Sequence, residues 1–283
     1  MSIVINHLTF AYTQGGKRLE PTLKDLSFTI EEGAFLGIIG HTGSGKSTFV
    51  KHLNGLLTSE PGMVTVDGHD LSSKSERRTV RSLVGMVFQY PEYQLFAETV
   101  YDDIAFGPQN MKLPEDEIKN RVLHAMTLVG LEPERFSSRS PFELSGGERR
   151  RTAIAGVLAM RPKYLVLDEP MAGLDPLGRR EILSLLEKLR TDSGCTIIMI
   201  SHSMDDIAEH ATDVLVMDKG GVFMYDKPQK VFSHAEDLKR IGLSVPTVTQ
   251  ICLEMNQRGV SIPTTICTEE ALLNWFREGK RHA

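Results

Sequence analysis

Residues 40–48, Gly40-His41-Thr42-Gly43-Ser44-Gly45-Lys46-Ser47-Thr48, constrain this 283-residue chain more than any other segment. They satisfy G-x-x-x-x-G-K-[ST], a loop whose bare glycines let backbone N–H groups wrap phosphate oxygens. The loop needs a strand before it and a helix after it, because the helix turns its positive N-terminus on the same anions. Both flanks agree. Ala34–Ile39 is a continuous apolar run, the pattern of a strand buried on both faces, and a helical stretch begins at Lys46. Lys46 sets a point charge beside the β- and γ-phosphates, and Ser47 offers a hydroxyl to Mg²⁺. Nucleotide binding is the expectation.

The remaining pattern alternates strands with helices. Val4–Tyr12 and Leu26–Ile30 read as strands, the second closed by the turn Glu31-Glu32-Gly33. Further strands are expected at Met63–Val66, Val84–Phe88, Tyr164–Leu167, Cys195–Ile200 and Val214–Met217. One helix should take Pro114 as its first residue, with Glu115, Asp116 and Glu117 at its positive end. Its apolar face is Ile118, Val122, Ala125, Met126 and Val129, and Gly130 stops it. Helices are also expected at about 146–160 and 178–189. Strand–helix–strand alternation means a parallel sheet covered by helices.

After about Ser233 the texture changes. Val248, Ile251, Cys252 and Met255 fit one helical face, Gly259 and Pro263 break the chain, and Leu272, Trp275 and Phe276 follow a Thr268 cap. With 41% hydrophobic residues and Lys+Arg 32 against Asp+Glu 37, the chain is neither disordered nor built around a nucleic-acid groove. It shows no run of 18 apolar residues and no secretory leader, so a soluble chain is expected. Cys195, Cys252 and Cys267 form no CxxC, and Cys195 reads as a packed thiol in a reducing compartment.

Four more positions complete a site. The strand Tyr164–Leu167 ends in Asp168-Glu169. Asp168 is placed to hold Mg²⁺, and Glu169 to polarise an attacking water. His202 follows the run ending at Ile200, within reach of a γ-phosphate and of Glu169. Gln89, just past Val84–Phe88, offers an amide oxygen to Mg²⁺ or water. In Leu144-Ser145-Gly146-Gly147-Glu148, a capping box explains Ser145 and Glu148 but not two glycines in a first helical turn. Bare N–H groups at a helix start make a second anion site. A dimer has use for it, if each chain's Ser145 loop closes on the other's ATP.

In their order, the phosphate loop, Gln89, Leu144–Glu148, Asp168-Glu169, Ala172-Gly173-Leu174-Asp175 and His202 resemble the ABC-transporter ATPases over residues 2–232. Val87–Phe96, Asp103–Pro108, Ala153–Met160 and Ser201–Met204 narrow the resemblance to energy-coupling factor (ECF) transporters, and to the second of their two paralogous ATPases. The resemblance implies an α/β P-loop NTPase with a RecA-like parallel core sheet and an antiparallel β subdomain. It also implies an α-helical subdomain inserted at about 90–160 and a small C-terminal helical extension. Residues 1–232 would form the ATPase domain and 233–283 a dimerisation extension.

An ATP hydrolase with Mg²⁺ is implied, powering uptake of a vitamin or other micronutrient. Glu169 and His202 would be catalytic. Tyr12 would stack on adenine, residues 40–48 and Gln89 bind ATP, and Ser47, Gln89 and Asp168 hold the metal. Ser145, Gly146, Gly147 and Glu148 would meet the partner chain's ATP, and Asp175 would communicate across a head-to-tail dimer. Partners would be a second ATPase subunit (a paralogue, or alternatively another copy), a membrane scaffold docking near Gln89–Phe96 and a substrate-binding membrane subunit, with no nucleic acid. The chain would sit peripherally on the cytoplasmic face of the membrane. A cobalt or nickel importer ATPase is the near alternative, and a soluble ABC ATPase acting on nucleic acid the distant one.

Two residues depart from the family pattern. Glu148 stands where Gln is commoner, and Met171 where Thr usually follows the proline. Glu92 is expected to pair with an Arg of the membrane partner, and Arg149-Arg150-Arg151 to form a solvated or partner-facing stripe.

Overall fold

In the computed structural model, which describes residues 1–279, the chain opens with antiparallel pairing. Residues 280–283, the end of the expected extension, lie outside the described residues. Strand β1 (Ser2–Phe10) runs into a short hairpin, β2 (Thr13–Gln14) and β3 (Lys17–Arg18), and returns as β4 (Leu23–Glu31). A bulge between Ile5 and Leu8, with His7 at φ 50°, resets the alternation so that Ile3, Ile5 and Leu8 all face inward.

The next strand, β5 (Phe35–Ile39), is buried along its whole length. Helix α1 (Lys46–Leu53) follows, then β6 (Val64–Val66) and β7 (His69–Asp70), which complete an antiparallel sheet of order β4-β1-β6-β7. After α2 (Lys74–Leu83) and β8 (Val84–Val87) comes a helical excursion. It comprises α3 (Val100–Asn110), α4 (Glu115–Leu128), α5 (Pro133–Phe136) and α6 (Gly146–Leu158). The chain returns through β9 (Tyr164–Asp168), α7 (Pro176–Ser193), β10 (Thr196–Ile200), α8 (Met204–His210), β11 (Asp213–Asp218) and β12 (Gly221–Asp226). Helices α9 (Pro228–Ser233), α10 (Ala235–Arg240), α11 (Thr247–Gln257) and α12 (Glu269–Gly279) end it.

The core sheet has order β12-β11-β5-β10-β9-β8, and only the edge strand β12 is antiparallel. Its strands are apolar throughout because both faces are covered. Phe35 and Ile39 face the helical side with Leu165, Leu167, Ile197 and Met199. Leu36 and Ile38 face α1 and the antiparallel sheet with Val166, Ile198 and Ile200. Each such side chain contributes roughly 1.5–3 kcal/mol by leaving water. Gly37, in the middle of β5, makes room for α8: a Cβ there would lie 2.7 Å from the Ile207 side chain.

Two helix expectations shift. Pro114 caps α4 rather than opening it, at φ −60° and ψ 148°, and its carbonyl accepts from Ile118 N–H at 2.9 Å. On α11, Ile251 is exposed while Val248, Thr249 and Cys252 are buried. Thr249 can turn inward because its hydroxyl donates to the Ile266 carbonyl at 3.3 Å. Ala235, Leu238, Leu243 and Val245 belong to the main core, and a separate small core of Val248, Cys252, Ile262 and Ile266 starts only beyond them. Asp205, in the first turn of α8, accepts from Thr247 N–H at 2.7 Å and ties α11 to it. All three cysteines are free and buried.

His52 on α1 gives a testable pH dependence. Its ring packs edge-on against Phe10 at 4.7 Å, and neither nitrogen has a hydrogen-bond partner among the described residues. Burial alone pushes its pKa down from 6.5 to about 4. The unfolded chain therefore takes up the proton first, and stability falls as pH drops from about 6.5 towards 4, by about 3 kcal/mol in all. Replacing His52 by Leu should remove this component. Parallel unfolding titrations at pH 7 and pH 5 check it, and equal losses in both proteins reject it.

Candidate active site

Parallel strands align their carboxyl ends, and a ligand crevice opens there. Because β5, β10, β9 and β8 are consecutive neighbours, the phosphate loop after β5, His202 after β10, Asp168-Glu169 at the end of β9 and Gln89 after β8 lie along one edge.

The loop is built for close approach. A Cβ at Gly40 would lie 2.4 Å from the Met217 carbonyl oxygen and 2.6 Å from Ser44 Oγ. Gly45 takes φ 100°, with the Thr22 carbonyl 2.9 Å from where its Cβ would be. Lys46 lies across its own loop, its Nζ donating to the carbonyls of Gly40 at 2.6 Å and His41 at 2.9 Å. Burial lowers the pKa of Lys46, and the charges of Glu169 and Asp168 oppose that shift. The His41 ring sits between the Thr42 carbonyl at 2.7 Å and Asp218 Oδ1 at 2.9 Å. The Ser44 hydroxyl is fully buried and has no partner among the described residues. A glycine-walled loop holding an orphaned hydroxyl and a buried ammonium fits a phosphate chain.

Asp168 is buried, and burial raises its pKa; a hydrogen bond from Ser47 pulls the other way. Among the described residues no group of three or more His, Cys, Asp or Glu could hold a metal. The oxygen set of Asp168 and Ser47 instead suits a hard cation completed by phosphate oxygens.

Glu169 adopts φ 52°, the left-handed region that non-glycine residues avoid. That turn brings its carboxylate between two side chains from other strand ends. His202 Nε2 lies 2.8 Å from Oε1, and Gln89 Nε2 donates to Oε2 at 3.3 Å. Tyr12, just beyond β1, reaches over α1 to place its hydroxyl 3.2 Å from Thr48 Oγ1, with its ring edge-on to Phe10.

The segment Ser145–Glu148 is not joined to these residues by any hydrogen bond or ion pair among the described residues. It caps α6: Glu148 N–H donates to Ser145 Oγ at 3.3 Å and Ser145 N–H to Glu148 Oε2 at 2.8 Å. These bonds hold the Glu148 carboxyl below its usual range. Ser145, Gly146 and Gly147 are exposed, and a Cβ at either glycine would meet nothing within 4 Å. Asp175 caps α7 through Gly178 N–H at 2.9 Å and is exposed. Met171 packs its side chain against the main core.

The arginine run departs from expectation. Arg150 is buried, and its guanidinium donates to Glu92 Oε2 at 3.3 Å and to the Ala172 carbonyl. Glu92 thus pairs within its own chain, with Arg150, a partner that the sequence reading did not expect. Arg151 pairs with Glu181 at 2.6 Å. The signal was periodicity: Arg150, Ile154 and Leu158 share one buried stripe of α6 at a spacing of four. Arg179, also missed, grips Asp206 through Nε at 3.1 and 3.0 Å.

A glycine-rich phosphate loop, a carboxylate held between Gln and His at the strand ends and a free-standing, glycine-opened helix cap define a P-loop ATPase of the ATP-binding-cassette class. Comparison with known proteins agrees, the ABC transporter family model matching residues 23–172. The energy-coupling factor transporter ATP-binding protein EcfA2 of Caldanaerobacter subterraneus subsp. tengcongensis is 47% identical over 99% of this chain and 99% of its own. CbiO1 from Clostridium perfringens, described as part of the ABC transporter complex cbiONQ, superposes with TM-score 0.73 at 37% identity, covering 90% of this chain and 98% of its own. The ATP-binding cassette MJ0796, a dimer in a post-hydrolysis state bound to ADP and Pi, gives 0.71 at 28% identity, covering 80% and 98%. The chain belongs to the EcfA2 family of energy-coupling factor transporter ATP-binding proteins, ATP-hydrolysing subunits of ABC transporters.

Proposed function

We propose that this subunit works as half of an ATP sandwich that drives uptake of a vitamin or other micronutrient. The observation that carries the reading is the exposed Gly146-Gly147 start of α6, whose missing side chains nothing in its own chain requires. A second ATPase subunit, a paralogue or another copy, would bring its γ-phosphate there, while its own Ser145 loop closes on the ATP held at Lys46. The dimeric MJ0796 cassette supports this arrangement.

Within each site, Tyr12 stacks on the adenine, and residues 40–48 wrap the phosphates. Glu169 takes a proton from the attacking water. His202, bonded to Glu169 and facing the γ-phosphate, holds that geometry. Ser47, Asp168 and the amide oxygen of Gln89 would hold Mg²⁺, which when bound neutralises charge on the β- and γ-phosphate oxygens. Asp175 faces the partner chain.

Tyr90, Tyr93, Phe96 and Phe106 are exposed together, with Phe96 and Phe106 stacked edge-on at 4.9 Å, and such an apolar surface suits a membrane scaffold subunit. No described helix is long and apolar enough to cross a membrane. Attachment to the cytoplasmic face would come through that scaffold and a substrate-binding membrane subunit, with residues 1–232 as motor and 233–283 as dimerisation extension. Affinity purification from detergent-solubilised membranes tests the reading. Co-purification of a second ATPase and two membrane subunits is expected. Recovery of nucleic acid without any membrane subunit rejects it.

A further inference from the structure

Arg150 does more than fill a gap beneath α6. We propose that it is the positioning residue that keeps three ATP-site segments in one register: the turn after Gln89, the start of α6 and the loop leading to Asp175. The proposal rests on the reading of Glu169 as the base and of Ser145–Glu148 as the surface that meets the partner's ATP.

Arg150 is only 5% exposed, and its guanidinium has acceptors on two separate loops. Its Nε and Nη2 donate to Glu92 Oε2 and Oε1 at 3.3 and 3.5 Å. Glu92 lies in the short 3₁₀ helix Pro91–Gln94, three residues from Gln89, whose amide donates to the Glu169 carboxylate. Arg150 Nη1 donates to the Ala172 carbonyl, and Ala172 N–H donates to the Glu169 carbonyl at 3.2 Å. Each arm of the fork is therefore one residue or one short turn removed from Glu169, reaching its side chain through Gln89 and its backbone through Ala172. The third connection is covalent, since Arg150 sits five residues past Ser145 on the capped helix.

A planar, permanently charged fork suits this position, because one rigid group sets the angle between two loops. A buried guanidinium also keeps its partners close, as separation would strand a charge away from water. Glu92 is thereby engaged within its own chain, while Tyr93, the next residue along the same segment and a third of a turn away, is 84% exposed. A subunit docking on Tyr93 and Phe96 would move the Glu92 turn, and Arg150 would pass that movement to Glu169 and to the Ser145 loop together.

The test is steady-state hydrolysis by the full chain in the complex purified from membranes, with ATP binding and thermal unfolding measured alongside. Arg150→Gln should lower kcat about tenfold, with KM and ATP affinity within about twofold, because the reacting groups remain but lose alignment. Arg150→Lys should recover part of kcat, keeping the charge but not the fork. Glu92→Gln, which keeps shape and is expected to fold even where Arg150→Gln does not, should lower kcat per folded protein about threefold. It should lower the melting temperature as well, because it leaves the Arg150 charge buried without its counter-charge. The double variant should be no slower than Arg150→Gln, as expected of two residues acting through one contact. Unchanged kcat in Glu92→Gln, multiplying losses in the double variant, or a lower melting temperature with normal kcat per folded protein overturns the proposal. Glu169→Gln in the same assay separates the two failures. Wild-type turnover there rejects the base assignment and this proposal with it, whereas inactive Glu169→Gln beside fully active Arg150 and Glu92 variants rejects the role of Arg150 alone.

Discussion

Replacing Glu169 by Gln should leave a chain that binds ATP and hydrolyses it about 10²–10⁴ times more slowly, the usual worth of a general base. The substitution keeps the volume and one carbonyl oxygen, so contacts with Gln89 and His202 persist in altered polarity while the proton acceptor disappears. Binding rests elsewhere, on the Lys46 ammonium, the glycine-walled loop and the buried Ser44 hydroxyl, none of which Glu169 holds by a hydrogen bond. The backbone at Glu169 carries left-handed strain whichever of the two side chains is present. Nucleotide titration and phosphate release on the same preparation check both halves. ATP-trapped dimers should accumulate in the variant on gel filtration, because closure no longer ends in hydrolysis. Turnover within threefold of the parent sinks the assignment.

The site was legible in the sequence where a loop type fixes its own geometry. Gly40 must be glycine because the Met217 carbonyl and Ser44 Oγ crowd its Cβ, and the residue pattern carries that requirement without any knowledge of Met217. Continuous apolar runs gave the parallel strands, because both faces of β5, β9 and β10 are covered. The parallel core, the antiparallel sheet and the helical excursion all have the expected character. What stayed hidden depends on partners distant in sequence. Arg150 and Glu92 are 58 positions apart, so the periodicity of α6 could mark Arg150 as inward-facing but could not name the carboxylate that meets it. Ile251 lost its inward place to Thr249 because a carbonyl at Ile266 satisfies the threonine hydroxyl, a contact that periodicity does not see.

Gly147 offers the sharper test of the sandwich, because stability and activity should move in opposite directions. In the first turn of α6, glycine costs the helix, and alanine is better by up to roughly 0.5–1 kcal/mol. Space does not forbid the change, as a Cβ at Gly147 meets nothing within 4 Å. In the isolated chain, Gly147→Ala should therefore unfold at the same temperature as the parent or slightly above it. In the proposed dimer the added methyl group would stand where the partner's γ-phosphate is to approach bare N–H groups. Gly147→Asp goes further, since a carboxylate at a helix N-terminus is tolerated by the helix dipole but repels the phosphate. It should keep ATP binding at Lys46, abolish ATP-dependent dimerisation and lower hydrolysis at least about 10²-fold, as loss of anion-stabilising donors does elsewhere. Calorimetry, gel filtration with ATP and phosphate release measure the three quantities. If Gly147→Asp dimerises and hydrolyses like the parent, the exposed start of α6 has no part in closing on a partner's nucleotide. If Gly147→Ala instead unfolds well below the parent, the glycine serves this chain's own fold.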